Sequence, residues 1–165
     1  MTTVHAPVAG SASASPARDD VMAALTTVDD PEYPGISIVD LGLFESCQVG
    51  DHGAVRVALV PTFSGCPALA MIADDVRRAV EAVPGVSAVE VTWLRAPAWT
   101  TDRVTDRGRA ALADRFTVAV RIGDGTTACP RCGGTMDDQS LFGPSRCRSV
   151  AVCRSCRETV EVLRA

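Results

Sequence analysis

"AVRVALVPTFSGCPALAMIADDVRRAVEAVPGVSAVEVTW", residues 54–93, carries two periodicities in succession. Val55, Val57 and Leu59 alternate with Arg56 and Ala58, the period-two pattern of a half-buried strand. Leu69, Ile72, Val76, Val80 and Val83 then recur at helical spacing, with Asp74, Arg77, Arg78 and Glu81 on the other side. Pro84-Gly85 stops this helix, and Val89, Val91 and Trp93 return to alternation. A strand, a helix and a strand in one short stretch predict an α+β fold, a small mixed sheet with helices packed on it.

The flanks extend the pattern. Residues 43–49 read as a strand joined to 54–60 by the hairpin turn "GDHG" (50–53). Ser15-Pro16 suits an N-cap and first helical position, and Val21, Leu25 and Val28 mark a stripe that ends before Asp30-Pro31. Between helix and strand, "DPEYPGISIVDLGLF" (30–44) is turn-rich and holds three carboxylates, Asp30, Glu32 and Asp40. Downstream, "RAPAWTTDR" (95–103) reads as a loop, 105–114 as a short helix and "RFTVAVRI" (115–122) as a further strand. Residues 1–15 are small and polar, a disordered tail by composition. The composition changes again at "GDGTTA" (123–128), which sets an expected boundary between an α+β domain at 16–122 and a module at 123–165.

Composition excludes several classes of function. Apolar residues make up 47% and aromatic ones 4%, so aliphatic side chains must build the core. A formal charge of −4 argues against non-specific binding to nucleic acid or anionic lipid. All 16 basic residues are arginine, which removes Schiff-base and phosphate-loop lysine chemistry. No apolar run approaches the ~18 residues of a membrane span, and the N-terminus lacks the basic start and apolar stretch of a secretory signal. The expected setting is the reducing cytoplasm, without a membrane partner. There, seven cysteines read as metal ligands or reactive thiols before disulfides.

Five of those cysteines fall within 129–156. Cys129-Pro-Arg-Cys132, twenty residues, and Cys153-Arg-Ser-Cys156 make two C-x-x-C pairs, the ligand set of a closed tetrahedral site. Gly133-Gly134 permits the tight turn such a knuckle needs. Structural zinc is the expected occupant of this four-cysteine ribbon, with iron or an iron–sulfur cluster on the same thiolates as the alternative. The segment is too short for a stable core of its own, so the metal holds it folded. Cys147 is surplus as a ligand and is either packed or a spare thiol. Arg146, Arg148, Arg154 and Arg157 offer a docking face, or simply a solvated one.

In the first domain, "SGCP" places Cys66 directly before Pro67, where Pro favours the first helical position. Cys66 is then an N-cap thiol among unpaired amides, a placement that lowers a thiol pKa into the range ~3.5–7.5. His5 in the tail and His52 in the hairpin are poorly placed as bases, so acyl transfer has little support. Asp30, Glu32 and Asp40 can line the same pocket, which suits transient iron, although such acids more often cap loops. Cys47 shares a strand face with Leu43 and Val49 and reads as buried.

"DPEYPGISIVDLGL", "PTFSGCPALAMIADDV" and "APAWTTDRVTDRGRAAL" together resemble the metal–sulfur cluster biosynthesis family, to which SufT belongs. With the tail "CPRCGG…SLFGPSRCRSVAVCRSC", the set is similar to the PaaD/PaaJ-type accessory proteins of phenylacetyl-CoA oxygenase, from about residue 17 to the end. The resemblance implies a maturation factor for the iron–sulfur cluster of that oxygenase (epoxidase) system in aerobic phenylacetate degradation. Its implied client is above all the flavin reductase component, which carries a [2Fe–2S] cluster. The family's motif positions fall on Asp30, Pro31, Glu32, Asp40, Thr62, Cys66 and Pro67, with Cys66 as the metal- or cluster-handling thiol. The chain itself is then not an enzyme: it has neither a paired Glu-x-x-His di-iron motif nor a dinucleotide fingerprint. One thiolate does not hold a cluster alone, so two copies of the chain, or the chain and its client, are expected to share it. The rival reading is a zinc-ribbon adaptor that binds protein or nucleic acid. Acidic charge and a ribbon without stacking aromatics count against it.

Overall fold

The computed structural model describes residues 15–123 and 125–164, so the expected tail lies outside it except for Ser15. Helix α1 (Arg18–Leu25) has Ala17 at its N-cap, extended at φ −71° and ψ 140°. It therefore starts later than Ser15-Pro16 predicts: Pro16 is buried, and Asp19 and Asp20 take the first turn, where acids favour the positive helix end. Val21 and Leu25 are fully buried. The hydroxyls of Thr26 and Thr27 donate to the carbonyls of Ala23 and Ala24 at 2.7 Å each and end the helix before Val28.

The turn-rich stretch holds structure that its prolines conceal. Strands β1 (Asp29–Asp30) and β2 (Tyr33–Ser37) pair as a short antiparallel hairpin. Strands β3 (Phe44–Val49) and β4 (Ala54–Leu59) pair antiparallel across the expected turn, where His52 and Gly53 adopt φ of 58° and 80°. Helix α2 (Leu69–Glu81) crosses to β5 (Ala88–Trp93), which runs parallel to β4. The β3-β4-β5 sheet is thus mixed, and Ile72, Val76 and Val80 of α2 are buried with Val55, Val57 and Leu59 of β4 in one core. Helix α3 (Asp106–Phe116) starts at Thr105, whose Oγ1 accepts the Gly108 N–H at 3.0 Å, and ends at left-handed Thr117. The α+β reading holds, and among the described residues no helix is long and apolar enough to cross a membrane.

The second sheet has the order β6-β9-β8-β7, from β6 (Val118–Val120), β7 (Met136–Ser140), β8 (Arg148–Cys153) and β9 (Thr159–Leu163). The stretch 115–122, placed with the first domain by its sequence, gives its first two residues to α3 and its strand to this sheet. The parallel β6–β9 ladder pairs Ala119 with Val162 and Val120 with Leu163. Val118 and Leu163 are buried in the first core, whereas Ala119 and Val162 are buried in the ribbon's core with Cys129, Ala151, Cys153 and Val160. Because successive side chains on a strand point to opposite faces, this one ladder closes both cores.

A buried carboxylate fixes the loop that precedes β3. Ser37 Oγ donates to Asp40 Oδ2 at 2.9 Å, and Thr105 Oγ1 donates to Oδ1 at 2.8 Å. Arg107 adds a bidentate pair at 3.0 and 2.7 Å. Burial alone would raise the Asp40 carboxyl, but the bonds from Arg107, Thr105 and Ser37 outweigh it and hold it below the usual carboxylate range. The backbone of α3 fits closely here, since a Cβ on Gly108 would lie 2.6 Å from the Asp40 carbonyl oxygen. Trp99 Nε1 donates to Leu41 O at 2.9 Å, and Arg103 donates to the carbonyls of Gly42 and Phe44 at 2.8 Å each.

Asp40→Ala should cost about 2–3 kcal/mol in urea unfolding at neutral pH, because it strands the Thr105 and Arg107 donors. A carboxyl with a depressed folded pKa stabilises above its unfolded value, so the cost should shrink as pH falls below about 4. In the ribbon, Gly133 (φ 72°) and Arg157 (φ 63°) occupy equivalent turns, donating to the carbonyls of Cys129 and Cys153 at 2.8 and 3.1 Å. Left-handed backbone costs a non-glycine residue roughly 1–2 kcal/mol, and glycine's extra chain entropy returns roughly 0.5–1. Arg157→Gly should therefore stabilise the metal-loaded ribbon by about 0.5 kcal/mol, read as a higher unfolding midpoint.

Candidate functional site

The four ribbon cysteines converge from two knuckles. Their sulfurs lie within 4.8 Å of one another, with Cys132 Sγ 3.5 Å from Cys153 Sγ and Cys129 Sγ 3.8 Å from Cys156 Sγ. A tetrahedral zinc site with bonds of ~2.3 Å sets sulfurs ~3.8 Å apart, so the donor set fits such an ion. Cys129 and Cys153 are buried, and Cys132 and Cys156 are exposed. The Cys156 amide, aided by that of Ser155, faces the Cys153 sulfur and lowers this thiol to about 6, towards the thiolate a metal requires. Four sulfurs leave no open position, which is the arrangement of a structural site.

Most of the ribbon's arginines have partners within the chain. Arg154 pairs with Asp137. Arg146 lies over the Phe63 ring at 5.5 Å from its centroid. Arg148 is buried, stacks 4.7 Å from the Tyr33 centroid, and forms ion pairs with Glu32 and Glu161 at 2.8 Å each. A bound guanidinium between two carboxylates and a ring is part of the fold rather than a free docking face.

Cys66 sits on the loop between β4 and α2. Its N–H donates to Phe63 O at 3.1 Å, and its carbonyl accepts from the Leu69 N–H at 3.3 Å. The N-cap of α2 is Ala68, so Cys66 stands two residues ahead of the cap position expected for it. The turn closed by Cys66 and Leu69 takes up Pro67, and the helix begins only beyond it. The thiol's electrostatics are reversed as well. Burial pushes it up, the Ala68 amide draws it down, and Glu32, Asp30 and Cys147 push it further up. The helix end acts through one amide and does not outweigh burial and the nearby carboxylates.

Of the acids grouped with Cys66 by the sequence, Asp30 and Glu32 reach it electrostatically. Asp30 is buried, its Oδ1 accepts the Glu32 N–H at 2.8 Å, and burial pushes its carboxyl up. Thr62 is half-buried on the Cys66 loop. Asp40 has both carboxylate oxygens engaged by Ser37, Thr105 and Arg107. Cys47 is buried in β3, as its strand face predicts. Cys147 is half-buried against the first core, with Sγ 3.2 Å from Ser145 Oγ. Periodicity and spacing do not anticipate the Arg148 clamp on Tyr33 and Glu32. The available signal is an arginine opening the apolar run "RSVAVC", a place where only a paired cation is tolerated.

Known proteins share this architecture. The family model described as iron–sulfur cluster assembly protein matches residues 18–93, and the PaaD zinc beta ribbon model matches 113–164, a range that includes β6. An Escherichia coli (strain K12) protein named as a component of 1,2-phenylacetyl-CoA epoxidase is 33% identical over 88% of this chain and 91% of its own length. An Fe-S protein maturation auxiliary factor of Porphyromonas gingivalis is 37% identical over 58% of this chain and 90% of its own. A domain of unknown function from Bacillus anthracis, known as a crystal structure, superposes with a TM-score of 0.55 at 31% identity, over 59% of this chain and 92% of that one. The chain belongs to the iron–sulfur cluster assembly family, in the form that ends in a PaaD zinc β-ribbon.

Proposed function

We propose that the chain is a non-catalytic maturation factor for a phenylacetyl-CoA epoxidase system, and that it supplies the iron–sulfur cluster of the reductase component in the cytoplasm. One observation carries the reading: an assembly-family domain whose loop thiol, Cys66, stands beside Asp30 and Glu32 is joined to a PaaD-type ribbon, and the pair matches an epoxidase component over most of its length. In this reading zinc occupies Cys129, Cys132, Cys153 and Cys156 and holds the ribbon folded. Cys66 handles the cluster or its iron, Asp30 and Glu32 favour the incoming cation, and Thr62 lines the loop. Asp40 positions the loop through α3.

The electrostatics favour a ligand over a nucleophile. A thiol flanked by carboxylates stays protonated at neutral pH and attacks poorly. A divalent iron ion reverses the balance: the charges that raise the thiol's pKa attract the cation, and binding releases the proton. Arrival of metal, rather than an adjacent base, forms the thiolate.

Deleting this chain should leave the reductase polypeptide present but stripped of most of its iron and acid-labile sulfide, with growth on phenylacetate lost. Wild-type protein should restore both, and Cys66→Ser neither. A fully loaded reductase in the deletion strain would sink the proposal. For the thiol itself, peptide-resolved alkylation against pH should place the Cys66 midpoint above that of an ordinary thiol at about 8.5. Asp30→Asn should move the midpoint down, because a like charge is removed while the acceptor for the Glu32 N–H is kept.

A further inference from the structure

Cys147 lies in the ribbon yet belongs spatially to the Cys66 loop. Its neighbours in sequence bracket that loop. Arg146 reaches the ring of Phe63, three residues before Cys66, and Phe63 Cε1 would lie 2.7 Å from a Cβ on Gly65. Arg148 reaches Tyr33 and Glu32, two to three residues after the start of "DPE". The residue between them is thereby held over the space between the two loops, half-buried against the first domain's core. The backbone there is fixed: Cys147 O accepts the Arg164 N–H at 2.9 Å, and Arg148 N–H donates to Ser145 O at 3.1 Å. A charge on the Cys147 sulfur is felt at both Cys66 and Tyr33.

We infer that Cys147 is the second sulfur of the Cys66 site, so that one chain offers two thiols, one from each module, with Asp30 as an oxygen donor, to a thiophilic divalent cation such as ferrous iron. The inference rests on the reading of Cys66 as the handling thiol and extends it. Two soft donors and one hard one suit borderline cations, while magnesium and calcium prefer all-oxygen sets. The charges facing the site are Asp30 and Glu32 from the first hairpin and Arg146 and Arg148 from the ribbon. Arg148 is shared between Glu32 and Glu161, so with Asp30 the three carboxylates outnumber the two guanidiniums and the site keeps an excess of negative charge. The ribbon cysteines are the set whose ligand atoms converge within 4.8 Å among the described residues. Cys66, Cys147 and Asp30 do not converge in that way, so a bound cation has to draw their donors together.

The test uses full-length, zinc-loaded protein titrated anaerobically with ferrous iron, with bound iron and zinc measured after gel filtration. Wild type should bind one iron beyond its ribbon metal. Cys147→Ser should weaken that binding at least tenfold, as Cys66→Ser does, with ribbon zinc and melting temperature unchanged. If Cys66→Ser loses iron while Cys147→Ser binds like wild type, the second-sulfur inference falls and the Cys66 reading stands. If both variants bind like wild type, both fall. A second measurement avoids mutation: phenylarsine oxide condenses with two nearby thiols to give one arsenic bonded to both sulfurs, with loss of one water. Zinc-loaded wild type should retain one arsenic linking the Cys66 and Cys147 peptides. Arsenic found elsewhere, or not retained, would overturn the inference.

Discussion

The parallel ladder between β6 and β9 is the constraint on which the arrangement of the two modules depends. A strand with alternating faces can serve two cores only if both are apolar at opposite parities. The pairs Ala119–Val162 and Val120–Leu163 satisfy this, sending one set of side chains to the ribbon and the other to the first domain. A one-residue slip would exchange the two sets and unpack both cores at once. The ribbon is therefore not a bead on a linker. Its position is fixed by the same hydrogen bonds that complete its sheet, and this lets Arg148 reach Tyr33 and Glu32 in a defined geometry. Loss of both carboxylates would leave the buried guanidinium unpaired, at a cost of several kcal/mol.

Two groups of residues serve separate ends. Asp40, Gly42, Trp99, Arg103, Thr105 and Gly108 form one interlocked unit, in which side-chain donors from one segment satisfy carbonyls and a carboxylate of another. Their chemistry is exhausted by those bonds. Asp30 and Cys66 are different. Each is held in an environment that disfavours its charged form, through burial first and like charges second. Raising a buried carboxyl in this way costs stability at neutral pH, and on the proposed reading Asp30 and Cys66 are where a ligand supplies the missing counter-charge.

The sequence shows the larger part of the fold, for physical reasons that also explain what it hides. The β4–α2–β5 segment is readable because period alone sets its elements, and the cysteine knuckles because ligand spacing does. The β1–β2 hairpin is hidden because Pro31, Pro34 and Gly35 erase alternation over strands too short to show it otherwise. Strand β6 reads correctly as a strand, yet its partner β9 lies far along the chain, and nothing local to 118–120 specifies which sheet it joins. Cys66 is identifiable as a special thiol from "SGCP", but the helix start is displaced by a turn that the Pro67 rule does not foresee. The sign of its pKa shift depends on Glu32, Asp30 and Cys147, which only the tertiary structure brings near. The Arg148 clamp shows in the sequence only as an arginine heading an apolar run, for the same reason: its two carboxylates come from β9 and from the first hairpin.

On the proposed reading, the two thiol sites differ as residence differs from transfer. In the ribbon, four sulfurs are pre-set at the spacing a tetrahedral ion requires, and backbone amides already favour thiolate at Cys153. A metal bound there would need little reorganisation and would gain none on release, which suits an ion that stays and holds the ribbon folded. At Cys66, burial and carboxylates keep the thiol protonated until a cation arrives, and every proton released must be returned when the cation leaves. Affinity there rises with pH and falls when a competing ligand set neutralises the ion better. An acceptor protein with more thiolates than the Cys66 loop can therefore draw iron away without any change of fold. On the proposed reading, the chain holds its structural metal tightly and its cargo weakly, and the contrast lies between backbone amides at Cys153 and acids beside Cys66.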